Sequence, residues 1–222
     1  MKDGQTHGRE NFSKAMSKIR ILIIGLGRIG KIHLANLQAV DEVEIIGICD
    51  PTDEAKAFSN KAGLTFYQKD FTDVASEVQT DAIVICSPTD THANYVSLAA
   101  KKGIDVFCEK PLDLSLKKVK EVLKTVSESK IKLMLGFNRR FDSEFQSVKE
   151  KIVKGEIGDI HTIKITSRDP SPPPINYIKS SGGMFLDMTI HDFDMIRYLT
   201  NKEIVEVYAK GDALINPEIA KA

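Results

Sequence analysis

Between an apolar run, Ile19 to Ile24, and a segment of helical period that begins at Arg28 stands Gly25-Leu26-Gly27-Arg28-Ile29-Gly30. The spacing has a mechanical reason: Gly25 permits a tight turn, Gly27 lets backbone come close to a pyrophosphate, and Gly30 lets helix and strand pack closely. The helix amino terminus then faces the phosphates. Asp50 ends the next apolar run and is placed to accept hydrogen bonds from the adenosine ribose hydroxyls. Its charge repels a 2′-phosphate and no Arg or Lys immediately follows it, so NAD is expected rather than NADP. Outside this context the same residues read as a glycine turn that only packs and an acid that only turns the chain before Pro51.

The glycine turn opens a longer pattern. From Lys18 to Phe137, apolar runs of strand length alternate with helical segments, which predicts parallel strands joined by crossover helices. Strands are expected at 19–24, 43–49, 65–67, 82–86, 105–108 and 132–137, and helices at 28–39, 53–62, 71–78, 91–102 and 115–129. Most of the strands are near-continuous Ile, Val and Leu, as in a sheet covered on both faces. After Phe137 the alternation weakens. A helix is expected over 142–154, a strand over 161–167, a rigid loop at Asp169-Pro-Ser-Pro-Pro-Pro-Ile-Asn-Tyr177, a helix over 182–200 and a last strand over 204–208. The fold class is therefore α/β: a doubly wound parallel (Rossmann) sheet over 18–137, followed over 138–222 by an α+β segment. Residues 1–17 lack an apolar signal core and read as a disordered lead-in.

Composition closes several alternatives. Lys plus Arg is 31 and Asp plus Glu is 31 in 222 residues, so neither a phosphate-seeking basic surface nor an acidic tail is present, and no nucleic-acid partner is expected. No apolar run approaches the ~20 residues that span a bilayer, so no membrane partner is expected either. Cys49, Cys86 and Cys108 are far apart and lack C-x-x-C spacing. They are expected to be free thiols in a reducing, cytoplasmic compartment, with no metal site.

In a doubly wound sheet, ligands bind at the carboxyl ends of strands, and two more of those ends carry chemistry. Ser87, Pro88, Thr89 and His92 are candidates to line the nicotinamide ribose, although the same segment serves as a helix entry capped by Asp90 or Thr91. Glu109-Lys110-Pro111 follows another strand; such a lysine is ordinary surface punctuation unless a ligand lies beside it. Further on, Asp187 and His191 are four apart on a predicted helix and project from one face. Alone, they are an ordinary helix ion pair. Next to a nicotinamide, an imidazole is suited to take a hydroxyl proton at neutral pH, with the carboxylate orienting it.

The segments G-L-G-R-I-G, C-S-P-T-D-T-H at 86–92, C-E-K-P at 108–111, G-F-N-R-R-F-D at 136–142 and G-G-M-F-L-D-M-T-I-H-D-F-D-M at 182–195 together resemble the glucose-fructose oxidoreductase and inositol dehydrogenase family. The resemblance covers nearly the whole chain from Lys18 onward. Within the family, S-R-D-P-S-P-P-P-I-N-Y-I-K-S-S-G-G at 167–183 is most similar to inositol 2-dehydrogenases. The resemblance implies an NAD-dependent dehydrogenase acting on the CH–OH group of a cyclic polyol, myo-inositol to 2-keto-myo-inositol (scyllo-inosose). The alternatives are a sugar dehydrogenase or reductase of the same family and a non-catalytic NAD-binding fragment. It implies Lys110, Asp187 and His191 as the catalytic set, and cofactor contacts from residues 25–30, Asp50, Ser87 to Thr89, His92, Glu109 and Lys110. Arg139 and Asp169 are implied as hydrogen-bonders of substrate hydroxyls, with a charge that only stabilises the fold as the alternative for each. Asp194 reads as a partner behind His191 or a solvated acid, Asp192 as structural, and His33 and His161 as surface or packing residues. In the family the second domain carries a large open sheet that forms the oligomer interface. The carboxyl-terminal part of that domain is expected to be missing here, and a homo-oligomer is expected of the full-length protein.

Overall fold

The computed structural model describes residues 17–221, so the expected lead-in lies outside it except for Ser17. Six strands, β1 (Ile19–Ile24), β2 (Val43–Cys49), β3 (Phe66–Tyr67), β4 (Ala82–Ile85), β5 (Asp105–Cys108) and β6 (Leu133–Leu135), form one sheet in the order β3-β2-β1-β4-β5-β6. Every pairing is parallel. The connecting helices are α1 (Arg28–Gln38), α2 (Asp53–Lys61), α3 (Phe71–Val74), α4 (Thr89–Lys101) and α5 (Leu116–Ser129). The chain runs outward from β1 to β3, then returns to β4 and runs outward the other way. The turns after β1 and β4 therefore diverge, and a crevice opens between them at the carboxyl edge of the sheet.

The strands are mostly apolar because both faces are covered, with charges only towards their starts, at Arg20, Glu44 and Asp105. On one face Ile21, Ile23, Ile48 and Val84 pack with Leu34 of α1 and Ala55 of α2. On the other, Leu22, Ile24, Ile83, Ile85 and Val106 pack with Phe71, Val96 and Val122 of the remaining helices. Successive residues of one strand alternate between the two clusters, which is the period of two expected of a pleated strand. Thr52 and Asp70 cap α2 and α3 through side-chain oxygens. By contrast, α1 and α4 start from Gly27 and Pro88, with no side-chain cap, and both amino termini lie at the crevice.

Gly25 has φ +88°, in the left-handed region that glycine adopts freely. A Cβ on Gly30 would stand 2.1 Å from the Gly25 carbonyl oxygen, a backbone atom that no rotamer change relieves. Gly30→Ala is therefore expected to cost about 1–3 kcal/mol. In a chain of this size that is a fall of roughly 2–4 °C in Tm per kcal/mol, measurable by calorimetry. A Cβ on Gly27 meets nothing within 4 Å, so Gly27→Ala should leave Tm unchanged.

Beyond Phe137 the structure departs from the expected α+β pattern. A 3-10 turn, Asn138–Phe141, precedes α6 (Ser143–Val153), which Asp142 caps. The segments 161–167 and 204–208 are not strands: neither has a ladder partner among the described residues, and Val205 and Tyr208 are almost fully exposed. Apolar alternation selects a face, but a strand persists only beside another strand. The expected loop gives way after Pro174 to α7 (Ile175–Ser181), since proline is compatible with a helix start. The helix expected over 182–200 is divided. Gly182, at φ +82°, ends α7; a π-helical turn, Phe185–Thr189, follows; α8 (Ile190–Thr200) completes the run.

Candidate active site

A hollow of about 1100 Å³ occupies the crevice. Its walls include Gly25, Gly27, Arg28 and Ile29 from the first turn, Ser87 to Thr89 from the second, Glu109 and Lys110 from the end of β5, and Asp187 and His191 from the distant 185–191 segment. The fold thus gathers most of the residues singled out from the sequence. Leu26 and Gly30 lie beneath it: Leu26 is 2 % exposed and packs into the sheet, and Gly30 packs on Gly25.

Asp50 also lines the hollow and already has structural work. Its Oδ2 accepts from the Leu26 N–H at 2.8 Å, and its Oδ1 accepts from the N–H and hydroxyl of Thr52 at 2.8 and 2.6 Å. A carboxylate has about four acceptor sites. The glycine turn is thereby tied to the end of β2 with capacity left for a ligand hydroxyl. His92 is 1 % exposed, and its ring nitrogens lie 2.8 Å from the Pro111 carbonyl and 2.9 Å from the Ser87 carbonyl. Each ring nitrogen faces a backbone carbonyl, so His92 joins the second and third turns to each other, and it borders the hollow as well. Glu109 is held by His33, whose Nε2 lies 2.8 Å from Oε1. His33 was expected only at the surface or in packing.

Lys110 and Asp187 form the centre. The Lys110 Nζ donates to the Asp187 carbonyl at 2.6 Å and to its Oδ1 at 2.9 Å, with both side chains largely buried. An ammonium has three N–H groups; two are directed at Asp187 and the third is left for the hollow. Tyr177 also donates to Asp187 Oδ1, at 3.0 Å. The expected orientation of His191 by Asp187 is absent, because a charge-assisted bond to Lys110 takes the carboxylate instead. His191 packs edge-on against Phe137. Its Nδ1 is buried with no hydrogen-bond partner among the described residues, so Nε2 is the nitrogen open to the hollow. Burial, followed by the positive charges of Lys110 and Arg139, holds its pKa below the ordinary imidazole value.

Two expected substrate contacts are not in this wall. Arg139 pairs through one guanidinium nitrogen with Asp192, which also accepts from the Ser167 hydroxyl at 3.0 Å. Asp169 lies in the exposed, proline-bounded segment before α7 and does not line the hollow. Asp194 is not solvated: it is 6 % exposed and takes a two-pronged bond from Arg140 at 2.8 and 2.6 Å. Asn138 and Tyr177 line the hollow and had no sequence signal of their own beyond their place in family-like segments.

The residues present fit a dinucleotide. The amino terminus of α1 has unpaired N–H groups, and the space beside Gly27 that a Cβ would take is open. Among the described residues there is no group of His, Cys, Asp or Glu that could hold a metal, and no helix long and apolar enough to cross a membrane. The three cysteines are unpaired, and burial pushes the Cys86 thiol up to about 12.

Residues 19–137 match the NAD-binding Rossmann-fold domain of an oxidoreductase family, and residues 145–221 match the GFO/IDH/MocA C-terminal domain. The chain is 45% identical over 205 residues to a myo-inositol 2-dehydrogenase of Thermotoga maritima, covering 92% of this chain and 61% of that protein. It is 44% identical over 205 residues to an inositol 2-dehydrogenase of Rhizobium meliloti, covering 92% and 62%. Among solved structures, scyllo-inositol dehydrogenase from Lactobacillus casei with bound NAD(H) and scyllo-inositol superposes with a TM-score of 0.79 at 31% identity, covering 92% of this chain and 63% of that one. The chain spans about three fifths of the length of the curated relatives it matches.

Proposed function

Because the chain belongs to the GFO/IDH/MocA oxidoreductase family, we propose that it carries the cofactor site and the catalytic groups of an NAD-dependent dehydrogenase that oxidises a cyclic polyol, myo-inositol to 2-keto-myo-inositol. The observation that carries this reading is the convergence of Lys110 and His191 on one hollow beside the glycine turn. NAD, when bound, supplies the acceptor for the hydride that leaves the carbinol carbon. His191 Nε2 takes the hydroxyl proton, and its lowered pKa keeps it neutral and receptive at physiological pH. The third N–H of Lys110 donates to the reacting oxygen and stabilises the negative charge that grows there. Asp187 fixes Lys110 through its carbonyl and its carboxylate. Asp50 receives the adenosine ribose, and the first turn receives the pyrophosphate at the start of α1.

Residues 18–137 are read as the dinucleotide unit and 138–222 as part of the substrate unit. A cytoplasmic location and a homo-oligomeric assembly belong to the same reading. Inositol is favoured over hexoses because the relatives cited above are named for inositols. The test is NADH formation across a panel of inositols and hexoses, with NAD binding followed by calorimetry. Turnover of myo-inositol is expected. NAD binding without turnover of any polyol would instead identify a cofactor-holding module.

A further inference from the structure

Asp187 stands on the π-helical turn Phe185–Thr189, where the regular helical ladder is interrupted and Phe185 and Leu186 are exposed. Its largely buried carboxylate is therefore oriented by specific donors rather than by a regular helical turn. What fixes it comes from two other elements: Lys110 at the end of β5 and Tyr177 on α7, whose donor atoms reach the same oxygen, Oδ1, at 2.9 and 3.0 Å. One donor leaves a carboxylate free to swing about the contact, whereas two donors from different directions define its orientation. We infer that Tyr177 is a positioning residue for turnover, holding Asp187 in the orientation that aims the Lys110 ammonium at the reacting oxygen.

This inference rests on the polyol dehydrogenase reading. Tyr177 is half-exposed and lines the same hollow, so its hydroxyl is not needed to fill the core. Burial, the hydrogen bond to Asp187 and the charge of that carboxylate push the phenol up to about 12. The bond therefore has a signature that does not require turnover.

Tyr177→Phe keeps the ring and removes the hydroxyl. Loss of one hydrogen bond corresponds to a fall of about three- to ten-fold. That loss is expected in kcat, with KM for the polyol and NAD affinity unchanged and Tm lowered by no more than a few degrees; a merely structural tyrosine lowers Tm and leaves kcat as it is. In parallel, tyrosine labelled with carbon-13 at Cζ is followed at about pH 10.5, where an ordinary phenol, with a pKa near ~10, is mostly ionised. The signal missing from Tyr177→Phe should remain that of a neutral phenol in the wild type, and its titration should move to lower pH in Asp187→Asn, which removes the hydrogen bond and the charge but leaves the burial. An unchanged kcat in Tyr177→Phe overturns the inference, as does a Tyr177 signal that is already that of an ionised phenol at this pH in the wild type. If the wild type is active and only Tyr177→Phe is indifferent, this inference alone fails. If the wild type binds NAD but turns over no polyol, the reading beneath it fails and the role in turnover falls with it.

Discussion

Replacement of His191 by Gln is expected to lower kcat for polyol oxidation by about 10²–10⁴-fold, the range typical of a positioned general base. Glutamine keeps a polar group of similar reach but accepts no proton. The sharper expectation is in the pH profile. The active form of His191 is the neutral ring, so activity is lost as pH falls through its pKa. Desolvation acts first on that pKa, and the charges of Lys110 and Arg139 act in the same direction; all three disfavour the imidazolium. The acid limb of kcat/KM should therefore lie below the ~6.5 of a free imidazole, and it should disappear in His191→Gln. An acid limb that survives the substitution, or one that lies above the ordinary value, assigns the base elsewhere. Steady-state rates from acid to neutral pH, with NAD saturating, decide between these outcomes.

The dinucleotide half was legible because its signals are local or arise from simple burial. β1, β2 and β5 follow from apolar runs whose two faces are both covered, and Gly25 and Gly30 from a turn that excludes a Cβ. Lys110 could be placed at the site from the rule that strand ends gather ligands, and His191 beside it from the resemblance to a family. What was not legible depends on competition between partners. Asp187 faces both Lys110 and His191 in sequence logic, and only the geometry shows the ammonium taking it. Arg139 and Arg140 look equivalent in sequence, yet each is drawn to a different acid of α8, Asp192 and Asp194. The prolines before Tyr177 predict a loop around it, and proline composition does not reveal that a helix starts immediately after the last of them. The segments 161–167 and 204–208 have the composition of strands, but composition does not supply a neighbour.

Lys110→Ala is expected to lower kcat by about 10²–10³-fold, the cost of removing one preorganised donor from a developing oxyanion. The same substitution also leaves Asp187 without its cation. A carboxylate with 24% side-chain exposure then keeps only Tyr177 among the donors to its side chain described here and has access to water. Its orientation, rather than the fold, should suffer. NAD affinity should therefore change far less than turnover, because the glycine turn, Asp50 and the amino terminus of α1 are untouched. Lys110→Arg separates charge from geometry. Guanidinium retains the positive charge but is planar and longer, and it cannot place one N–H on a carbonyl, one on Oδ1 and a third into the hollow as a tetrahedral ammonium does. Recovery by Arg should accordingly be small. Full recovery in Lys110→Arg would show that charge alone suffices, which the three-way division of the Lys110 donors does not permit. Single-turnover NADH formation with saturating NAD measures the step directly and keeps product release out of the comparison.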